Sequence, residues 1–461
     1  MITSTPAAPA LQQRPDAAAS PSVRPVRRHI EGLDGIRAVA ALLVLFFHYW
    51  SMTGRQSLPA PLLVVATSGG VGVDIFFAIS GFILFLPWAR AAWTGARIDV
   101  RRFLSNRFLR VVPAFWFNAG VLVLVTCPVL LFSVGGLGRL FIYCSFLAGF
   151  APPSQAPSFL VNDVAWTLCI EVCFYLVLPL VARFFVRDRW KIALPVVLAA
   201  TILFKLVAIA RYGHLENVGV LVGAFRNIVG MFGEFAAGMA VAAVWAKLEH
   251  RGVQLRPGVS LGCTIIGIAG VWTPLALNQY FVGREDYGHG TGPLGYLPLL
   301  TMFPVVALFA GVAIFGICYQ PNVVTRLLSL RPIAYLGAIS YGIYLWHLPL
   351  GQWLTHGVGP GVDPASRRML LSLLVVGTLV SIGVAAFSHR FVEKPFLLKK
   401  APTVTTAPEA PTARTPLPRW ASAVRPPVHV AARPRRPEPS FAGRSARDAE
   451  TVPVPRTMAD A

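Results

Sequence analysis

The sequence has little charge, and acidic residues are especially few. Only 13% of its 461 residues are charged, about half the fraction of an ordinary soluble domain, and Lys and Arg number 41 against 20 Asp and Glu. The low charged fraction excludes an ordinary soluble protein. The arginine excess in loops and tails is typical of a membrane protein that follows the positive-inside rule. No soluble basic module is present, so we expect no nucleic-acid partner.

Common catalytic and metal-binding motifs are also missing. The sequence has no Walker loop, no dinucleotide-binding fingerprint and no H-E-x-x-H, and Ser340 in GAISYG lies one residue too far along for a G-x-S-x-G elbow. The six cysteines mostly fall within apolar runs and lack the spacing of a metal site or disulfide framework. We therefore expect no metal. Residues 1–28 lack the apolar region of a cleavable signal peptide, so the first span is expected to direct membrane insertion.

Long apolar runs dominate what is present. The runs are long enough to cross a ~30 Å hydrocarbon layer, and they lie at 33–52, 71–89, 111–134, 164–183, 191–210, 218–246, 258–280, 296–319, 333–354 and 368–391. A shorter run at 137–150 is predicted to be re-entrant or interfacial, because a crossing there would place the basic loop RFFVRDRWK outside the cell.

The predicted fold class is all-α, a polytopic membrane helix bundle of about ten transmembrane helices in the plasma membrane. Both termini are expected in the cytoplasm. Composition divides the chain into a membrane domain at 29–398 and two flanking cytoplasmic segments, 1–28 and 399–461. These segments are rich in Pro, Ala and Arg and are predicted to be disordered.

The first span carries an arginine near its start and a histidine near its end. On an α-helix Arg37 and His48 lie about three turns apart, on nearly the same face and roughly 16 Å apart along the axis. An ionisable side chain inside a membrane is costly unless it faces protein or water. We therefore interpret this face as the wall of a reaction channel.

Further ionisable residues lie at the ends of other spans. Arg107 and Arg110 are i,i+3 neighbours whose paired guanidinium groups suit a phosphate-bearing ligand, although positive-inside anchoring explains them equally simply. Asp74 lies at the start of the second span and could orient His48, or it could be an acidic residue favoured by the helix dipole alone.

Two more candidates lie within apolar runs. Glu171, in WTLCIEVCFYLVLPL, needs a partner such as an arginine or histidine on another helix. His347, in ISYGIYLWHLPL, is either structural or part of the same polar cavity. Glu393, near Arg390 and Lys394, is interpreted as an interfacial salt-bridge residue.

The chain resembles membrane acyltransferase family 3, the bacterial integral-membrane O-acyltransferases of surface polysaccharides, glycolipids and antibiotics. The resemblance runs from about Glu31 to Pro395. It depends on six segments in the family's order: GLDGIRAVAALLVLFFH, GGVGVDIFFAISGF, RFLRVVPAFW, WTLCIEVCFYLVLPL, ISYGIYLWHLPL and FVEKP. The family's arginine and histidine separated by ten residues correspond to Arg37 and His48. Its R-x-x-R corresponds to Arg107 and Arg110, and its W-x-L-x-x-E to Glu171.

The resemblance implies transfer of an acyl group, commonly acetyl from cytoplasmic acetyl-CoA, to a hydroxyl of a carbohydrate or glycolipid. In this hypothesis Arg37, Arg107 and Arg110 bind the donor, and His48 is a general base or a transient acyl carrier. Asp74 or Glu171 would orient the imidazole. Membrane lipids are the expected surroundings, and the membrane domain is expected to handle the acceptor alone. The alternative is a membrane transporter or exporter of an acylated or anionic small molecule, which would be expected to show broken helices in a repeat.

Overall fold

The computed structural model describes residues 30–150, 161–213, 218–281, 297–356, 363 and 365–405. Apart from one pair of two-residue strands, the regular structure of these residues is helical. The helices are α1 (Leu33–Met52), α2 (Ala60–Ser68), α3 (Gly72–Thr94), α4 (Val100–Thr126), α5 (Val134–Cys144), α6 (Trp166–Phe185), α7 (Trp190–Tyr212), α8 (Val218–Phe225), α9 (Phe232–His250), α10 (Pro257–Phe281), α11 (Leu297–Tyr319), α12 (Val323–Leu328), α13 (Arg331–Ala338), α14 (Ser340–His356), α15 (Arg367–Ser372), α16 (Thr378–Ser388) and α17 (Lys394–Leu397).

The predicted helical membrane bundle is confirmed, with fewer long apolar helices than expected. Within the described residues, 8 helices are long and apolar enough to cross a membrane, against about ten predicted. The predicted span 218–246 divides into α8 and α9, and the span 333–354 divides into α13 and α14. Helix α14, with 17 residues, is too short for a simple span. Helix α9 is long enough but carries too many charged residues for one.

Other departures from the prediction are local. Helix α2 was not predicted, and a 3-10 turn at Gly69–Val71 joins it to α3. The 11 residues of α5 span about 16 Å, too short to cross a bilayer, which agrees with the re-entrant or interfacial assignment. Two π-helical segments, Leu373–Gly377 and His389–Glu393, interrupt the last span.

Helix α3 begins against the middle of α1 because its first residue is glycine. A Cβ at Gly72 would collide with the backbone oxygen of Ala40 and the side chain of Val44. This close approach brings the start of α3, including Val73 and Asp74, beside the second half of α1.

Helices α3 and α9 form the centre of the bundle. A Cβ at Gly81 or Gly238 would meet the backbone of the opposite helix, so the two helices pack backbone to backbone. The rings of Phe77 and Phe174 stack on Phe235 with centroids 4.6 and 4.1 Å away. Most of α9 is buried, which explains how a helix carrying charged residues lies inside an apolar bundle.

The start of the C-terminal segment is ordered and attached to the membrane domain. Strand β1 (Arg97–Ile98) pairs antiparallel with β2 (Val404–Thr405), and the buried side chain of Asn106 donates to and accepts from the backbone of Ala401 at 2.7 and 3.1 Å. The ordered unit therefore extends beyond the predicted boundary at residue 398. The rest of the predicted tail, like residues 1–28, lies outside the described residues.

Candidate active site

Four of the predicted site residues line one cavity of about 280 Å³, which we call the arginine cavity. Arg37 comes from α1, Arg107 and Arg110 from the first half of α4, and Glu171 from α6. Helix α4 is capped by the Asp99 side chain, which accepts from the backbone N–H of Arg102 at 3.0 Å. The i,i+3 spacing then directs both α4 guanidinium groups to the same side of the helix.

The arginine cavity carries more positive than negative charge. The Arg37 Nη1 lies 3.8 Å from Asp34 Oδ1, and the Arg110 Nη1 lies 4.0 Å from Glu393 Oε2, so both contacts are loose. In the part of the chain that the structure describes, the buried Nη2 of Arg110 has no hydrogen-bond partner. Guanidinium donors with unused capacity on a cavity wall suit an anionic ligand, phosphate in particular.

Glu393 forms a salt bridge, as the sequence predicts, but its carboxylate is buried in the bundle and its partners are Arg110 and His389. Its side chain is 1% exposed and lies 3.5 Å from His389 as well as 4.0 Å from Arg110. The π-helical segment that ends at Glu393 changes the register of the last turn, so the carboxylate is directed into the bundle beside α4.

Glu171 has the polar surroundings that its position in an apolar run required. The Ser80 hydroxyl on α3 donates to its Oε1 at 2.9 Å, and the Tyr175 side chain one turn later also hydrogen-bonds to it. Arg37, on another helix, lies within electrostatic range. Glu171 therefore belongs to the arginine cavity and not to the surroundings of His48.

His48 lines a second and larger cavity of about 970 Å³, which we call the histidine cavity. Its wall also includes Asp74 from α3, Lys205 from α7 and Arg226 from the turn between α8 and α9. Arg226 lies within electrostatic range of the imidazole, and its guanidinium stacks 4.6 Å from the ring centroid of Trp166. Apart from these groups the wall is mainly aliphatic and aromatic.

The imidazole of His48 pairs with that of His347. The His347 Nε2 lies 3.1 Å from His48 Nδ1, and the ring centroids are 5.0 Å apart. The His347 Nδ1 lies 2.7 Å from the carbonyl oxygen of Tyr344, so this nitrogen carries the proton and donates it there.

The hydrogen-bond network therefore assigns the tautomer of both rings. With its Nδ1 protonated, neutral His347 has an acceptor at Nε2. The Nδ1–H of His48 donates to this acceptor and to the Val44 carbonyl, 2.9 Å away. The Nε2 of His48 is then the unprotonated nitrogen. An imidazole in this state can accept a proton or attack a carbonyl.

Asp74 reaches the histidine cavity but belongs to a different cluster from the one expected. It lies within electrostatic range of Glu234 and Lys205. The Lys205 Nζ is 3.7 Å from Glu234 Oε1, and both side chains are fully buried. Beyond this ion pair, the described residues include no hydrogen-bond partner for the side chain of Lys205 or Glu234. The hydrogen bonds of the His48 Nδ1 instead go to Val44 and His347.

The two cavities share two wall residues, Val73 and Tyr344. The Tyr344 hydroxyl accepts from Thr167 at 3.0 Å and donates to the Val164 carbonyl at 3.2 Å, which holds the ring in place. Arg37 and His48, predicted to line one channel, therefore line neighbouring cavities with a thin partition. The single continuous passage between them stays a prediction.

Several charged residues of the two cavities were not predicted. Lys205 and Glu234 each interrupt an apolar run, so the rule that selected Glu171 could have selected them too. Arg226 lies within the predicted span 218–246, so the sequence gave no reason to expect the turn that contains it. Within the described part of the chain, no group of three or more His, Cys, Asp or Glu residues could hold a metal ion.

Comparison with known proteins identifies the family of the chain. A family model described as "Acyltransferase domain" matches residues 30–389. The chain is 28% identical over 396 residues to the putative peptidoglycan O-acetyltransferase YrhL of Bacillus subtilis, covering 80% of this chain and 55% of that protein. It is 25% identical over 383 residues to O-acetyltransferase OatA of Staphylococcus aureus, covering 81% and 58%.

A third relative is the peptidoglycan O-acetyltransferase OatA of Listeria monocytogenes, 26% identical over 395 residues, with 80% of this chain and 56% of that protein covered. The chain thus spans a little over half the length of these relatives. No solved structure matches. Since the family model covers most of the sequence, the chain belongs to the acyltransferase family that its motifs resemble.

Proposed function

We propose that the protein is a membrane O-acyltransferase that moves an acyl group, acetyl in the simplest case, from acyl-CoA to a hydroxyl of a carbohydrate-containing acceptor. Support comes from the family membership and from the relatives, which are named O-acetyltransferases, two of them of peptidoglycan. The family membership also favours a transferase over the transporter that the sequence left open.

The observation that carries the proposal is that a cavity lined by guanidinium groups and a cavity lined by an imidazole lie next to each other and share two wall residues. The arginine cavity has guanidinium groups suited to the phosphates of acyl-CoA, contributed by Arg37, Arg107 and Arg110. The histidine cavity has an imidazole with a free Nε2. A donor held in the first cavity would have its thioester brought to His48 past Val73 and Tyr344.

In the direct route His48 acts as a general base. Its Nε2 takes the proton of the acceptor hydroxyl, whose oxygen attacks the thioester carbonyl. The carbon–sulfur bond then breaks, and the imidazolium returns the proton to the thiolate. In the covalent route Nε2 itself attacks the thioester carbonyl, the carbon–sulfur bond breaks and CoA leaves as the thiolate. The acceptor oxygen then attacks the acyl-imidazolium, the carbon–nitrogen bond breaks, and the hydroxyl proton passes to the thiolate. In both routes His347 positions the ring of His48 by accepting from its Nδ1.

The positive-inside rule gives the proposed orientation. Basic residues cluster in the α3–α4 connection and at the start of α4, at the same end of α4 as Arg107 and Arg110. This end is assigned to the cytoplasm, where acyl-CoA is available. The histidine cavity then lies toward the outer leaflet of the plasma membrane, and both chain termini lie in the cytoplasm.

The test is acetyl transfer by the purified full chain in nanodiscs, with labelled acetyl-CoA and a glycan acceptor. His48→Ala should lower the rate by about two to four orders of magnitude, because it removes the proton acceptor. The matched control is His356→Ala, since His356 ends α14, is exposed and bonds only to the Gln352 carbonyl among the contacts described. Equal rates for the His48 variant and the wild type would contradict the proposal.

A further inference from the structure

A short segment after the last span contributes to the wall of the arginine cavity. Residues 399–405 follow α17 and lie against the start of α4, and we call this segment the strap. Its Lys400 lines the cavity together with the three arginines. The acyltransferase model matches residues 30–389, so the strap lies outside the matched region. The cavity wall therefore includes a cation that the family match does not account for.

Hydrogen bonds hold the strap at two places. The buried side chain of Asn106 bonds to the backbone of Ala401 at 2.7 and 3.1 Å. Farther along, the Asp99 N–H donates to the Thr403 carbonyl at 2.9 Å, and β2 pairs with β1. Since Ala401 is held, the backbone of its neighbour Lys400 is held as well. A charge that is positioned before binding loses less entropy when a ligand arrives.

The strap places Lys400 beside the first turns of α4. Its neighbour Ala401 is bonded to Asn106, which lies four residues, or roughly 6 Å of helix rise, before Arg110. Arg110 and Arg37 lie within electrostatic range of each other. The backbone of Lys400 is thus nearer the start of α4 than this pair of arginines is.

Coenzyme A carries its phosphates in two places. A pyrophosphate joins the pantetheine arm to the nucleoside, and a separate monoester phosphate on the ribose 3′ oxygen is farther from the thioester. A phosphate monoester carries about −1.5 to −2 charges at pH 7 and has three acceptor oxygens. The compact ammonium of a lysine suits such a single phosphate, whereas the planar fork of an arginine suits bidentate bonding. Cations at two levels of the cavity match phosphates at two distances from the thioester.

We infer that Lys400 and the strap form a subsite for the ribose 3′-phosphate of coenzyme A, next to a pyrophosphate site that Arg37 and Arg110 provide. The inference rests on the proposed function for the identity of the donor. Binding of coenzyme A requires neither an acceptor nor a transfer step, so the subsite and the reaction can be tested separately. Lys400 is a binding residue and takes no part in the chemical step.

The binding test compares coenzyme A with 3′-dephospho-coenzyme A, which lacks only this phosphate, on the full chain in phosphatidylcholine nanodiscs. Titration calorimetry should give a Kd for coenzyme A at least about tenfold lower, the value of a charged hydrogen bond. Lys400→Ala should abolish the difference by weakening coenzyme A alone, and Lys400→Arg should keep most of it. Equal Kd values for the two ligands in the wild type, or equal weakening of both by Lys400→Ala, would overturn the inference.

Three further variants separate the subsite from a general effect of positive charge. Lys399→Ala removes the exposed neighbouring lysine, whose Nζ lies 5.2 Å from the ring centroid of Phe396, and should leave both Kd values unchanged. Arg110→Ala should weaken both ligands by the same factor, since both contain the pyrophosphate. Asn106→Ala releases the strap and should reduce the difference as Lys400→Ala does. If Lys399→Ala reduces it as much as Lys400→Ala, the subsite is wrong.

Transfer assays then connect the subsite to the reaction. With acetyl-3′-dephospho-coenzyme A as donor, the wild-type KM should be about tenfold higher at an unchanged kcat, and Lys400→Ala should show one KM for both donors. If the two ligands differ in Kd as expected but no acceptor is acetylated, the proposed transferase function fails while the subsite remains. If the wild type uses both donors with equal KM, the subsite is wrong and the transferase function remains.

Discussion

The two cavities differ in how their charges are satisfied. In the arginine cavity the cations are partly exposed and loosely paired, as in the 4.0 Å contact between Arg110 and Glu393. Beside the histidine cavity Lys205 and Glu234 are fully buried and lie 3.7 Å apart, and Asp74 on α3 lies within electrostatic range of both. The first arrangement leaves donors available to a ligand. The second fixes three helices, since a buried charge tolerates no loss of its partner.

The largest expected effect tests this contrast at the buried pair. Lys205→Met should lower the free energy of unfolding by about 3–5 kcal/mol, because it leaves Glu234 buried without a counter-ion. Thermal unfolding in detergent measures the loss. The control Lys191→Met removes a lysine of the same helix that is 61% exposed and should change little. A double variant, Lys205→Met with Glu234→Leu, should regain most of the stability. If it does not, the pair is not the reason for the loss.

The next effect concerns donor binding in the arginine cavity. Arg110→Ala should raise the KM for acetyl-CoA by about tenfold to a hundredfold, the value of a charged hydrogen bond, with a smaller change in Arg110→Lys. Arg101→Ala removes an exposed arginine of the same helix and is the control. Steady-state kinetics in nanodiscs separates KM from kcat. If the Arg110 and Arg101 variants changed KM equally, Arg110 would have no specific role in binding the donor.

A smaller effect is expected where His347 positions His48. His347→Leu should lower kcat about tenfold with little change in KM. This loss is much smaller than the ~10⁴-fold loss of kcat seen when a buried carboxylate that orients a catalytic histidine is replaced. His347→Gln places an oxygen near the former Nε2 and should retain most of the activity, because the Nδ1–H of His48 keeps an acceptor. If the Gln variant is as slow as the Leu variant, His347 supports packing rather than the tautomer.

The smallest change in the free energy of unfolding is expected for an exposed ion pair, Arg90–Glu249. Arg90 makes two hydrogen bonds to Glu249, at 2.7 and 3.0 Å, yet the side chains are 41 and 42% exposed. Solvent and salt screen such a pair, so Arg90→Ala should change the free energy of unfolding by less than about 1 kcal/mol. The same thermal assay in low and high salt measures it. A loss as large as that of Lys205→Met would show that burial is not what separates the two pairs.

The sequence predicted the arginine cavity better than the histidine cavity for a physical reason. Arg107 and Arg110 occupy one short motif, and helix periodicity alone places them on one face. Glu171 stands out because a carboxylate in an apolar run needs a partner. These inferences use local geometry, and the structure brings all three residues together with Arg37.

The histidine cavity depends on contacts that local geometry does not give. His347 and His48 are 299 residues apart in sequence, and their hydrogen bond exists only after α1 and α14 pack. The partition between the cavities depends on the ring of Tyr344, which is held by α6. One missed feature did have a local signal. In the turn between α8 and α9 the Asn227 side chain accepts from the backbone of Val229 and Gly230, and Asn is typical of turns because its side chain hydrogen-bonds to the backbone just after it.

The strand pair β1–β2 decides where the protein can be shortened. A chain cut after residue 398 would lose Lys400 from the wall of the arginine cavity and leave the buried Asn106 amide without its backbone partners. A chain cut after Thr405 keeps both. Fusion partners and purification tags are therefore better attached beyond residue 405, where they spare the hydrogen bonds that fasten this segment to α4.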